Sequence, residues 1–202
     1  MIDIKEYNLP DLVFSECNIN AFKFWIPDKT DIGLGASNNP EESLNIENVV
    51  VDNIPVYKRN SGGQSVVITP KTIIISVVLF NKNYSKPKEI FQIINTEIIK
   101  SLQKLGINDL FHKGISDITI NEKKILGSAI NKKKEKIFYH AMLNYDQNPD
   151  ILECYLKHPK KEPDYRKGRS HKNFVTSITE SGYDISMFEI IESLKNTFCK
   201  FV

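Results

Sequence analysis

Residues 72–81 read Thr-Ile-Ile-Ile-Ser-Val-Val-Leu-Phe-Asn. A run this rich in β-branched and apolar side chains has no polar face to turn toward water. It belongs in the middle of a sheet, covered on both sides. Ser76 interrupts it, and it is far shorter than the roughly 20 residues a membrane helix needs. The rest of the chain must therefore supply the layers that bury this strand.

The flanking segments are suited to that task. Residues 22–26 alternate apolar and polar like a half-buried strand. Short strands at 56–59 and 65–69 are interrupted by Asn60-Ser61-Gly62-Gly63-Gln64. Pro87 opens a helix, Ile90, Phe91, Ile94, Ile98 and Leu102 recur along one face, and Gly106 ends it. Strands are expected at 117–120 and 124–130, joined by a turn at Asn121-Glu122, and again at 137–145. Residues 150–156 read as a short helix, and Met187, Ile190, Ile191, Leu194 and Phe198 mark a closing one. Residues 159–169 carry no regular pattern, as functional loops often do not. The expected class is α+β, a mixed sheet with helices on one face, and 202 residues fit one domain spanning 1–202.

A formal charge of +2 gives no general drive toward nucleic acid or membrane surfaces. Cys17, Cys154 and Cys199 have no paired spacing, and the first ten residues contain acids and no apolar core. A reduced protein without a secretory signal, in the cytoplasm, is the expectation.

Three segments have the residue types for chemistry. In Arg59-Asn60-Ser61-Gly62-Gly63, adjacent glycines allow a tight turn whose N–H groups can face an anion, with Arg59 beside them. Lys124 stands ahead of the small residues Gly127, Ser128 and Ala129, so its ammonium could meet charge on a ligand lying over the strand. Asp117, seven residues before Lys124, could orient that lysine or hold a metal ion. Arg166 and Arg169 flank a glycine in the 159–171 loop and could bind an anion or an acidic partner. Taken singly, each segment also reads as an ordinary turn or a solvated surface.

Their order is more specific. A glycine-rich turn (GLGASNNP, 33–40), Arg-x-Ser-Gly-Gly, Gly-x-x-Asp, Lys-Ile-x-Gly-Ser-Ala and then the strand histidine His140 resemble the catalytic domain of lipoate–protein ligase A, in the biotin/lipoate A/B protein ligase family. The likeness is strongest over residues 24–156, leaving 157–202 as loop and closing helix with no room for an accessory C-terminal domain. It implies activation of lipoate or octanoate with ATP and Mg²⁺ as an acyl-adenylate, then transfer to a lysine of a lipoyl-carrier domain. A separate accessory subunit is a further possible partner, and Arg166 and Arg169 are candidates for docking the carrier.

By the same resemblance, Lys124 is the catalytic cation. Arg59, Ser61, Gly62 and Gly63 hold the acyl chain and phosphate, Asp117 lies near nucleotide and metal, and Gly127, Ser128 and Ala129 line the floor. Ile75 and Val77 are candidates for the acyl tunnel, and His140 takes a structural role. The chain departs from the family pattern on the nucleotide side: Gln64 replaces a third glycine, Ile68-Thr69-Pro70 stands where a His-Asp pair is usual, and Ser116 precedes Asp117 where the family has Asn. Two alternatives follow: an ATP-independent octanoyl or lipoyl transferase working through a cysteine, or a non-catalytic lipoyl-binding homologue.

Overall fold

A computed structural model describes residues 2–80 and 86–201. The chain runs β1 (Ile4–Glu6), α1 (Leu12–Ser15), β2 (Ala21–Trp25), β3 (Asp31–Leu34), α2 (Pro40–Ser43), α3 (Ile46–Val51), β4 (Val56–Lys58), β5 (Val66–Ile68) and β6 (Thr72–Phe80). It continues through α4 (Pro87–Gln103), β7 (Leu110–Lys113), β8 (Asp117–Ile120), β9 (Lys123–Lys133), β10 (Lys136–Asn144), α5 (Asp150–Tyr155), a 3₁₀ turn at Asp164–Arg166, α6 (His171–Phe174) and α7 (Met187–Phe201). The expected β6 strand is present; Asn81, expected at its end, lies outside the described residues.

The α+β class holds, but the single mixed sheet is divided in two. Six antiparallel strands run in the order β2-β6-β10-β9-β8-β7, and a smaller mixed sheet runs β1-β4-β3-β5. β6 is buried along nearly its whole length, as its composition requires. Ile73, Ile75, Val77 and Leu79 point to one face, where they meet Ile90, Ile94, Ile98 and Leu102 of α4 and Ile190, Leu194 and Phe198 of α7. Each such side chain contributes about 1.5–3 kcal/mol of burial, so Ile98→Ala in the middle of α4 would cost roughly 2–5 kcal/mol. Ile75 and Val77 thus belong to the core, not to a tunnel. The opposite face of β6 is left for the smaller sheet and the cleft.

The first third of the chain is not only strand and loop. α1, α2 and α3 are four to six residues long, too short for a helical period to show in sequence. α2 is set locally: Asn39 Oδ1 accepts the Glu41 N–H at 2.9 Å and Pro40 takes the first helical position. β4 and β5, which flank the glycine loop, are not a hairpin. Both pair with β3, β4 in parallel and β5 antiparallel. The loop at 59–65 therefore crosses the end of β3, which brings it against the 33–40 turn.

Candidate active site

Between the two sheets lies a cleft of about 1050 Å³. The smaller sheet lends it Gly33, Val66, Val67 and Ile68, and the larger sheet lends Ile74, Gly127, Ala129, His140 and Met142. The 159–171 loop covers one side with Tyr165 and Arg166.

Lys124 enters this cleft because of an irregularity in β9. Strict alternation would put Lys124 on the same face as Leu126, which is buried in the core. The pairing with β8 shifts there: Ile118 faces Leu126, but Thr119 faces Lys124, so Ile125 is an extra residue. Such a bulge re-aims the neighbouring side chain. Ile125 and Leu126 are both buried, and Lys124 moves to the face of Gly127. A Cβ on Gly127 would lie 2.7 Å from Lys124 Nζ, so only glycine leaves room for the ammonium where it sits. Nζ is 2.8 Å from Asp117 Oδ1, and the Tyr165 hydroxyl donates to Asp117 Oδ2 at 2.8 Å. Burial, and then Asp117, raise the Tyr165 pKa, which keeps that phenol a donor.

The opposing wall is built on Arg59, which is 7% exposed. Its Nη2 donates to the Gln64 carbonyl at 2.7 Å, and Nη1 stands 3.4 Å from His140 Nε2. Ser61 Oγ lies 2.6 Å from the same nitrogen. The loop bearing these residues is fixed to the 33–40 turn. Ala36 N–H donates to the Ser61 carbonyl at 3.0 Å, and a Cβ on Gly35 would fall 2.1 Å from the Gly63 carbonyl oxygen. The loop also meets β9: a Cβ on Gly63 would sit 3.7 Å from Ala129 Cβ. Two segments some sixty residues apart thus close around one space. The Gln64 side chain, which stands where the family has a third glycine, donates to the Lys161 carbonyl at 3.2 Å and ties this wall to the 159–171 loop.

A row of cross-strand neighbours floors the cleft. Gly127 pairs with Met142, Met142 with Ile74, and Ile74 with Trp25, and all four line it. The row crosses four strands, about 14 Å at the usual spacing of roughly 4.8 Å, and is apolar from Lys124 to Trp25. Three buried donors on the cleft lining have no partner among the described residues: Trp25 Nε1, Arg59 Nε and Arg166 Nη2. Orphaned donors of this kind suit a ligand that brings acceptor oxygens. Trp25 has one weak signal in the sequence, as the lone tryptophan at the end of an alternating strand. Tyr165 has none.

Of the sequence candidates, Arg59, Gly63, Asp117, Lys124, Gly127, Ser128 and Ala129 line the cleft. Ser61 does not; it borders a second cavity of about 60 Å³ behind the loop. Gly62 is exposed and outside the lining. Arg166 and Arg169 brace their own loop. Arg166 is 4% exposed, donates from Nε to the Arg169 carbonyl at 2.9 Å, and lies 4.8 Å from the Phe174 ring centre. Arg169 donates to the carbonyls of Tyr165, Arg166 and Glu122. Arg169 is thus held by backbone carbonyls, while Arg166 keeps its Nη2 unpartnered among the described residues on the cleft lining. Asp117, the metal candidate, has one oxygen on Lys124 and the other on Tyr165, and among the described residues no three His, Cys, Asp or Glu side chains converge as a resident metal site. Cys17, Cys154 and Cys199 are all absent from the lining, which leaves a thioester route without a nucleophile.

The sequence profile described as the lipoyl protein ligase A/B catalytic domain matches residues 11–199. The chain belongs to the lipoyl protein ligase A/B catalytic domain family. The match extends past the 24–156 stretch in which the family motifs stand. Among curated members, the lipoate-protein ligase A of Psychrobacter cryohalolentis is 29% identical over 195 residues, 93% of this chain and 54% of that protein. Lipoate–protein ligase 1 of Staphylococcus aureus is 30% identical over 154 residues, 76% of this chain and 45% of that protein. This lipoyl ligase-family chain thus spans about half the length of those relatives. Its fold is also that of a bi-partite lipoate protein ligase from Thermoplasma acidophilum, described with its E2 lipoyl domain (TM-score 0.77, 23% identity, 89% of this chain and 69% of that one). A lipoate-protein ligase A bound with ATP superposes similarly (TM-score 0.75, 23% identity, 89% and 71%). Among the described residues of this family member, no helix is long and apolar enough to cross a membrane.

Proposed function

We propose that this chain catalyses ATP-dependent attachment of lipoate or octanoate to a lysine of a lipoyl-carrier domain. The observation that carries the reading is the opposition, across one cleft, of the Lys124 ammonium and the Arg59 guanidinium, with an apolar row beginning beneath the lysine. The acyl tail lies along Gly127, Met142, Ile74 and Trp25, and its carboxylate is held at the Lys124 end. A carboxylate oxygen attacks the α-phosphorus of ATP, pyrophosphate leaves, and an acyl-adenylate forms. The neutral amine of the carrier lysine then attacks the acyl carbon, the carbon–oxygen bond to phosphate breaks, and AMP leaves as the amide nitrogen loses its proton. Lys124 offsets the negative charge that gathers on phosphate and carbonyl oxygen in both steps, a contribution typically of about 10²–10³ in rate. Arg59 holds the phosphate, and Gly63 lets its backbone approach. Magnesium, arriving with the nucleotide, would neutralise phosphate charge; the residues present form no resident site for it, and no step is assigned to it.

The E2 lipoyl domain described with the archaeal ligase supports a carrier domain as acceptor here, and the bi-partite make-up of that ligase supports testing for an accessory subunit. The test is incubation with lipoate, Mg²⁺ and ATP labelled at the α-phosphate, with and without a lipoyl-carrier domain. Labelled lipoyl-adenylate, then amide on the carrier, is the expected result. Tight lipoate binding without ATP turnover would point to the non-catalytic binder. Transfer from an octanoyl thioester without ATP would point to the transferase.

A further inference from the structure

Asp11 is the buried acid that the cleft chemistry does not use. It is fully inaccessible, lies outside the cleft lining and still connects to it through His140. Its Oδ1 accepts the Tyr7 hydroxyl at 2.6 Å and its Oδ2 accepts the Ser76 hydroxyl at 3.1 Å. Oδ2 also faces His140 Nδ1 at 3.8 Å, within ion-pair reach though beyond a direct hydrogen bond. Burial raises the Asp11 pKa, but the nearby His140 and the hydrogen bonds from Tyr7 and Ser76 outweigh it and leave the carboxyl below its ordinary value. Burial lowers the His140 pKa, against the pull of Asp11, so the ring is neutral at neutral pH.

The far side of that ring decides where its proton sits. Nε2 faces both Arg59 Nη1 and Ser61 Oγ. A guanidinium can only donate. Nε2 therefore presents its lone pair, and the proton belongs on Nδ1, toward Asp11. Ser61, His140 and Asp11 follow the order of a nucleophile array. Ser61, however, borders only the 60 Å³ cavity and is 3% exposed, so it has no route to a carbonyl in the main cleft.

We propose that Asp11 is a positioning residue: it holds His140 as the Nδ1–H tautomer, whose Nε2 accepts from Arg59 and Ser61 and so fixes the guanidinium in the anion-binding wall. This rests on the reading of Arg59 as the phosphate anchor. Asp11→Asn is the informative change. Tyr7 donates its hydroxyl to Oδ1 at 2.6 Å, so the amide oxygen stays with that hydroxyl and the NH₂ turns to His140. The ring then moves its proton to Nε2, where it opposes the Arg59 N–H.

The experiment reads the imidazole tautomer by ¹⁵N NMR, with lipoyl-adenylate formation from lipoate and MgATP measured on the same samples of the 202-residue chain. Wild type should show His140 protonated on Nδ1. Asp11→Asn should move the proton to Nε2 and lower kcat/KM about 10- to 100-fold, as for groups that orient the side chains holding a metal ion. Adding Tyr7→Phe frees the amide to turn back, and should restore both tautomer and rate. Wild-type His140 protonated on Nε2 would overturn the proposal even if Asp11→Asn failed to fold. So would a variant whose tautomer moves while its rate does not. A wild-type chain that makes no adenylate, yet shows the tautomer switch and its reversal, would sink the ligase reading and uphold the placement of Arg59 by Asp11.

Discussion

The two walls of the cleft present their cations in different ways. On the Arg59 wall the guanidinium is 7% exposed, and its partners run inward through His140 and Asp11 to the N-terminal segment and β6. On the Lys124 wall the side chain is 28% exposed, and its contacts run outward through Asp117 to Tyr165 in an irregular loop. One cation is held by the core and the other by a cover. A group that only grips a phosphate gains from rigidity. A group that must follow charge from phosphate to carbonyl needs freedom to move.

That contrast can be broken by experiment. Lys124→Ala removes the outward cation and should lower acyl transfer by about 10²- to 10³-fold while thermal unfolding stays close to wild type. A large fall in melting temperature would mean that this wall, too, is structural. Gly127→Ala adds the Cβ that meets Nζ and displaces the ammonium by about 1 Å. The expected loss is about 10²-fold in rate with lipoate binding retained; an unchanged rate would show that the position of Nζ is not critical. Ser61→Ala tests the inward wall. It removes a buried hydrogen bond and should cost about 1–2 kcal/mol in chemical denaturation as well as weakening ATP use. Lost activity at full stability would deny the claim that this wall is part of the core. Smallest of all, Tyr165→Phe frees one Asp117 oxygen on the outward wall, and should change kcat/KM only a few-fold with no stability change beyond about 0.5 kcal/mol.

The sequence exposed the outward wall better than the inward one. Lys124, Gly127 and Asp117 lie in two short motifs within eleven residues, and β8 and β9 follow from short apolar runs on either side of the turn at Asn121-Glu122. β6, α4 and α7 were equally readable, because a long apolar run and a helical period are local patterns. The Asp11–His140 link was not, since it joins positions 129 apart through a sheet register that no local pattern encodes. The second sheet was hidden for the same reason: β3 separates β4 from β5 in space though not in sequence order. The packing of the arginines of the 159–171 loop was not legible either, because composition reports charge and not what surrounds it. Phe174, five residues beyond Arg169, is the ring both guanidinium groups cover.

The extra residue in β9 has a consequence for how this strand tolerates change. Ile125 is 1% exposed, and another aliphatic side chain of similar volume should cost under about 1.5 kcal/mol. Deleting Ile125 would let Ile118 and Thr119 face Leu126 and Lys124 in unbroken register, with the lysine still on the face of Gly127 and one core side chain lost. Straightening the strand with Ile125 kept would instead turn the lysine into the hydrophobic interior. The bulge is how this strand fits an additional aliphatic group beneath a lysine that keeps its direction.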